Sequence, residues 1–428
     1  MLSPVQARRQ RRGGDLAALD ARDKDILREL ARQVAAIAAD PVQEQRRQLW
    51  TKLNRLERCR IPLLLVMHDL YWHELVPESD LLAVDPFARA HELALRLKLW
   101  HWEHVEDDAV TEPVVEYDIA VDMPHTISPR KTAVGPKGET AYVVVPVIET
   151  EADIDKIVED TTVTVDWDAT ARERGWVEEV FDGILSPAPT MPDLRSAPFD
   201  YACEIRGMER AFIDLFERPE WFEEVMRRVY RVGIDAARSL EQRGVLTINT
   251  GERVGSGGLG YTDELPRAGF DPAHVRLEDV WGSTTAQAAV GISAEMYERF
   301  VAQFDREYHA LFGLTAVGCC EPVDRKMPVY RTLPNLRRVS ISAFNDFAMA
   351  AEGIGTDYVY SVKPIASYMC LPSWDADADL GHLERTLEQS RGCHVEIIQR
   401  ELASCAGRPE RLTEWFRRAN QLVERYSA

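Results

Sequence analysis

The chain has 428 residues, 45% of them hydrophobic and 29% charged, the composition of a globular protein with ample core. Its net charge of −20 speaks against nucleic acid or an anionic membrane surface as a partner, since both want a basic face. Seven cysteines in no disulfide framework, no apolar signal core and no membrane-length stretch predict a reduced, cytoplasmic protein.

The first 58 residues read as a charged, helical N-terminal arm. Ile26, Leu27, Leu30, Val34 and Ile37 recur at helical spacing, and a second helix follows through Leu49, Leu53 and Leu56. Such an arm packs on the body or on a second copy, so a homodimer is compatible with it. The Arg8–Arg12 cluster reads as a solvated terminus. The first strand, Ile61–Val66, is almost continuously apolar, as a strand buried on both faces should be. A long helix spans Asp85 to Trp102, and Tyr142–Val147 is strand-like. Trp221 to Gly244 is an amphipathic helix with a glycine stop.

Val245–Asn249 and Val275–Val280 are predicted as strands, with a glycine-rich stretch, Gly251 to Gly260, between them. That stretch reads as a flexible lid, with an anion cradle as the alternative. Ser293 starts a helix. The strand Leu314–Cys319, the strand Arg338–Ser342, the strand Tyr358–Pro364, a short strand Val395–Ile398 and a closing helix Pro409–Tyr426 complete the chain. Strands alternate with helices throughout. Roughly eight repeats and the absence of a dinucleotide fingerprint predict a (β/α)8 TIM barrel over residues 59–428, with an open doubly wound sheet as the alternative.

The strand ends are where a barrel places its chemistry. The most informative of them is Gly318-Cys319-Cys320-Glu321-Pro322. Thiolates and carboxylates are zinc ligands, yet cysteine is equally a small buried hydrophobe. Adjacent strand residues point to opposite faces, so at most one of the pair is expected to face a site while the other packs. Other strand ends contribute His68, Asp69, Tyr71, Trp72, Asn249, Glu252, Tyr261, Asp263, Trp281, Gln287 and Lys363. Aromatic walls with few polar groups suit a flat organic substrate. No CxxC, HExxH, Walker loop or GxGxxG is present, which removes the zinc-protease, nucleotide and dinucleotide readings.

Five segments together resemble the uroporphyrinogen decarboxylase superfamily. They are Asn249–Pro266, Asp279–Met296, Gly318–Asp324, Leu333–Ser342 and Ser361–Pro364. The likeness runs over roughly residues 55–428 and is closest to the zinc-dependent, corrinoid-linked methyltransferases. It implies the same barrel, zinc as cofactor, and transfer of a methyl group between a small methylated compound, such as an aryl methyl ether, and the cobalt of a separate corrinoid protein. No DxHxxG cobalamin module is present, so cobalamin would arrive on that partner. Carried onto this sequence, the resemblance implies Cys320, or alternatively Cys319, as zinc ligand. Glu321, Asp279 or Cys370 would complete the set. Tyr71, Trp72, Tyr261 and Trp281 would form the aromatic wall, with His68, Asn249, Glu252, Arg253 and Gln287 also meeting substrate. Asp69, Asp263 and Lys363 would handle protons. The alternative within the superfamily is a metal-free decarboxylase or lyase, in which Asp69, Arg253 and Lys363 bind and protonate a carboxylated substrate.

Overall fold

The computed structural model describes residues 19–67, 71–123, 130–133, 142–157 and 162–427. Seven of its strands are labelled in chain order: β1 (Leu63–Leu65), β2 (Arg195–Ser196), β3 (Trp281–Thr284), β4 (Leu314–Val317), β5 (Leu336–Ile341), β6 (Val359–Val362) and β7 (His394–Gln399). The chain divides into two compact units. Unit 1 comprises Met1–Ala120, Val165–Pro192 and Ser361–Ala428, and unit 2 comprises Val121–Thr164 and Asp193–Tyr360. The chain crosses from unit 2 to unit 1 within β6.

In unit 1, β1 pairs in parallel with β7, Leu63 opposite Ile397 and Leu65 opposite Gln399. Of the two packings expected for the N-terminal arm, its helix Ala21–Ala38 shows the one on the chain's own body. The helix Ala21–Ala38 buries Leu27, Leu30, Ala31 and Val34 against Phe87, Ala88 and Leu95 of the helix Pro86–His104, and against Trp176 and Phe181. An apolar stripe on a helix must be covered, and here the chain's own body covers it. Asp23 ties the two helices together by accepting from the backbone N–H groups of Val84 and Asp85. The loop Asp107–Asp108 anchors β1: Asp107 accepts from Leu65 N and His101 Nε2, and Asp108 accepts from Leu63 N.

In unit 2, β2, β3, β4 and β5 lie side by side in chain order, all parallel. Register sets Trp281 opposite Leu314 and Thr284 opposite Val317, so β3 and β4 end level with each other. These strands, alternating with helices, place the protein in the mixed α/β class. A closed ring of eight strands is not formed among the described residues: unit 1 contributes β1 and β7, unit 2 contributes β2 to β5, and β6 carries the chain between units.

Two predicted strands differ from the structure. Val245–Asn249 joins no ladder, because Asn249 replaces one with its side chain. Its Nδ2 donates to Trp281 O at 3.0 Å and its Oδ1 accepts from Trp281 N at 2.9 Å. Val275–Val280 is a loop with a tight turn at Leu277–Asp279, and the strand begins one residue later, at Trp281. The helix after Ser293 is interrupted by a π-helical turn at Glu298–Ala302 between the α-helical pieces Ala294–Tyr297 and Gln303–His309.

No helix among the described residues is long and apolar enough to cross a membrane.

Candidate functional site at the end of β4

The strand β4 is wholly buried and stops at Val317. Gly318 turns the chain with φ of +89°, and a Cβ there would sit 3.3–3.4 Å from Ser340 and Val323. Only glycine takes that backbone and that space without strain. The turn removes the strand alternation expected for the two thiols. Cys319 and Cys320 lie beyond the strand, and their sulfurs converge to 3.4 Å. Cys319 is 3% exposed and Cys320 is half-buried. Strand alternation therefore does not set the two sulfurs on opposite faces, because the pleat ends before either residue.

The loop carrying the thiols is held from three sides. Glu321 Oε2 accepts from Cys319 N at 2.8 Å, while its Oε1 accepts from Thr285 Oγ1 and Ala286 N. Ser340 Oγ donates to Cys319 O at 2.9 Å. Asn345 Oδ1 accepts from Val323 N and Asp324 N, and its Nδ2 donates to Ser342 O. Glu321 thus spends both carboxylate oxygens on donors of its own fold, and its geometry is that of a group orienting the thiol loop.

A second carboxylate continues this pattern. Asp200, which sequence reading missed, accepts from Gln287 N at 3.0 Å and Ala288 N at 2.7 Å. Three successive amides, 286 to 288, are therefore bound by Glu321 and Asp200. Burial pushes the Asp200 carboxyl up to about 6, its two backbone N–H donors oppose the rise, and the charge of Glu321 adds to it. Lys326, also missed, is buried with its ammonium donating to Ala289 O and lying 5.1 Å above the Tyr297 ring. Burial lowers its pKa, against the pull of Glu321 and Asp324.

Behind the strands lies a buried polar cluster. Asp305 Oδ1 accepts from Tyr230 OH at 2.7 Å, and burial pushes its carboxyl up to about 7. His309 is clamped between Thr284 Oγ1 at 2.9 Å and Thr315 Oγ1 at 2.7 Å, and burial pushes its imidazole down to about 3. No local sequence pattern signals these partnerships, which join residues 6 to 75 positions apart.

The remaining expected residues distribute as follows. His68 and Asp69 lie outside the described residues. Tyr71, Trp72, Lys363 and Cys370 belong to unit 1. Tyr71 and Trp72 are buried, Lys363 Nζ donates to Ser361 Oγ at 2.7 Å, and Cys370 Sγ faces Ala366 O. Trp281 is core rather than substrate wall: it is 1% exposed, packs with Val254, Leu265, Leu314 and Ala316, and donates its indole N–H to Gly260 O. Asn249 is occupied with the Trp281 backbone.

Asp279 sits before the N-terminal end of β3, where it accepts from Arg267 N and Arg276 N and pairs with the Arg276 guanidinium. The thiols are past the opposite end of the neighbouring strand, roughly 15–20 Å away at the rise of a β-strand, so Asp279 shares no metal with them. Gln287, Asp263, Glu252 and Arg253 are exposed, and Tyr261 is half-buried.

The glycine-rich stretch is tied down rather than free to act as a lid. Buried Arg338 donates to Gly258 O and Leu259 O and stacks 5.5 Å from the Trp281 ring. Its carbonyls, not its amides, meet these partners, which is the wrong polarity for an anion cradle. Gly255 presses on Ser283, where a Cβ would come within 3.0 Å. Two clefts in unit 1, of about 290 and 740 Å³, contain none of the expected site residues.

The fold and site define a mixed α/β protein with a fixed dithiol at a strand end. No protein-family model and no curated protein matches the sequence. Among solved structures, a methyltransferase from Methanosarcina mazei aligns over 89% of this chain and 98% of its own, at 11% identity and a TM-score of 0.49. A likeness that loose carries no inference about activity.

Proposed function

We propose that the chain is a zinc-dependent methyltransferase that moves a methyl group between a small methylated compound and a separate corrinoid protein. The carrying observation is the convergence of Cys319 and Cys320 at the end of β4, with sulfurs 3.4 Å apart. Two thiolates sharing one tetrahedral zinc stand ~3.8 Å apart, so the pair fits a chelated ion with little adjustment. Cys319 and Cys320 are the residues that would hold it. Zinc supplies Lewis-acid chemistry, polarising the heteroatom that bears or receives the methyl group.

The chain's own residues do the rest. Glu321, Ser340 and Asn345 fix the thiol loop, so the donors need no rearrangement to act together. Cys320 is half-buried and Cys319 buried, with the two sulfurs facing each other. Asp200, with its carboxyl raised to about 6 by burial, holds the amides of Gln287 and Ala288 beside the segment that Glu321 binds. An aryl methyl ether remains the working substrate class. The aromatic wall first expected from Trp281 is not part of this reading.

Elemental analysis of the purified, reduced protein beside a Cys320→Ala variant tests the proposal. About one zinc per chain, lost in the variant, is the expected result. Protein without zinc after growth in zinc-replete medium would make the two cysteines packing residues and end the metal reading.

A further inference from the structure

We infer that Cys319 and Cys320 form a preorganised chelating site for neutral, trivalent, thiophilic metalloid compounds of the type R–As=O. The inference rests on the dithiol geometry and holds whether or not the pair also binds zinc.

Capture of such a compound needs two thiols that reach one atom together. Here the sulfurs already stand 3.4 Å apart and are not joined in a disulfide. The backbone at Cys319 is fixed from both sides: Glu321 holds its N–H and Ser340 holds its carbonyl, after the tight turn at Gly318. Chelation therefore carries little ordering cost, which is the usual origin of high affinity at a rigid site.

The same rigidity disfavours the competing fate of a dithiol. A disulfide bond is about 2.05 Å long, so closing one requires the sulfurs to approach by more than an ångström across a peptide whose C=O is held by Ser340. The step proposed instead involves no oxidation. The two S–H bonds and the As=O bond are replaced by two As–S bonds, one water leaves, and arsenic stays trivalent. Soft thiolates are the ligands such centres prefer.

The other thiols are poorer nucleophiles where burial acts on them, and the one further pair near enough to interact is Cys370 with Cys405. Cys59 and Cys393 are pushed up to about 11 and Cys405 to about 12, each mainly by burial, and Cys203 is pushed up further still. A thiol so poorly ionised is a weak nucleophile. None of the remaining five cysteines is adjacent to another in the chain.

The test uses the full chain, reduced and stripped of metal with a chelator, and phenylarsine oxide as probe. Intact-mass measurement should show one adduct equal to the oxide less one water. The adduct should survive excess monothiol and be removed by 2,3-dimercaptopropanol. Cys319→Ser and Cys320→Ser should each abolish the monothiol-resistant adduct, while a Cys59→Ser/Cys393→Ser variant keeps it. Peptide mapping of the wild-type adduct should place both lost S–H protons on the peptide containing Cys319 and Cys320, a readout that stands even if a variant folds poorly. Displacement by monothiol, or mapping to any other cysteine, would overturn the inference. Zinc content is measured on a parallel sample: zinc without capture would refute the metalloid site alone, and capture without zinc would refute the zinc reading alone.

Discussion

The buried pair Asp305 and His309 makes opposed contributions to stability as pH changes. His309 titrates near 3 in the folded chain against an ordinary 6.5, because burial disfavours its charged form. Below 6.5 the unfolded chain binds a proton that the native state refuses, so this stabilisation is full above 6.5 and is lost as pH falls toward 3. Asp305 titrates near 7 against an ordinary 3.8, again through burial. Its native state keeps a proton that the unfolded chain releases, so its contribution is most favourable below 3.8 and is lost as pH rises toward 7.

Between pH 7 and pH 5.5 the linkage relation gives a loss of roughly 1 kcal/mol from His309 and a gain of roughly 1–2 kcal/mol from Asp305. The two cancel in the wild type. Urea unfolding at both pH values, followed by tryptophan fluorescence, separates them. Compared with the wild type, Asp305→Asn should become less stable by roughly 1–2 kcal/mol on going from pH 7 to pH 5.5, and His309→Gln should become more stable by roughly 1 kcal/mol. Each substitution carries its own constant cost, but only the change between the two pH values is compared. A pH response of both variants equal to that of the wild type would refute the argument that burial sets these protonation states.

Three further outcomes follow from packing and hydrogen bonding. Gly318→Ala should cost about 1–3 kcal/mol in unfolding free energy, from the left-handed backbone and the contacts with Ser340 and Val323, and should weaken whatever the thiol pair binds. Asn249→Leu should cost about 2–4 kcal/mol in a denaturant titration, because it strands the N–H and C=O of buried Trp281. Arg338→Met should remove the guanidinium's bonds to the carbonyls of Gly258 and Leu259, and limited proteolysis should then cut within residues 251–260 faster than in the wild type.

Much of the secondary structure was legible in the sequence because it rests on local pattern. The apolar run at Leu314 ends in β4, and the Ser293 cap accepts from Met296 N as a start signal should. Asp85 caps the long helix that follows it. What local pattern could not supply is substitution of one group for another. Val245–Asn249 has the composition of a strand, but its pairing is made by an amide side chain. Trp281 looks like a substrate wall because it ends an apolar run, yet the register makes it the first residue of β3 and fills the space around it.

The thiol pair illustrates the same limit in reverse. Alternation along a strand assigned the sulfurs to opposite faces, and a single positive φ at Gly318 cancelled it. Glu321 was recognisable as part of the motif, but Asp200 was not, since a carboxylate that binds amides nearly ninety positions away leaves no mark on its own neighbours.

The π-helical turn at Glu298–Ala302 has a consequence for descent. A residue advances about 100° around an α-helix, so eight steps leave two side chains about 80° apart, whereas one surplus residue absorbed in a wider turn brings them to within about 20°. Tyr297 and Asp305 are eight steps apart and flank that turn. A one-codon insertion at this turn would rotate the second half of the helix, where Asp305 accepts from Tyr230. A related gene lacking that codon should also lack an acid at the position of Asp305, and the two traits should be gained or lost together along any lineage that carries them.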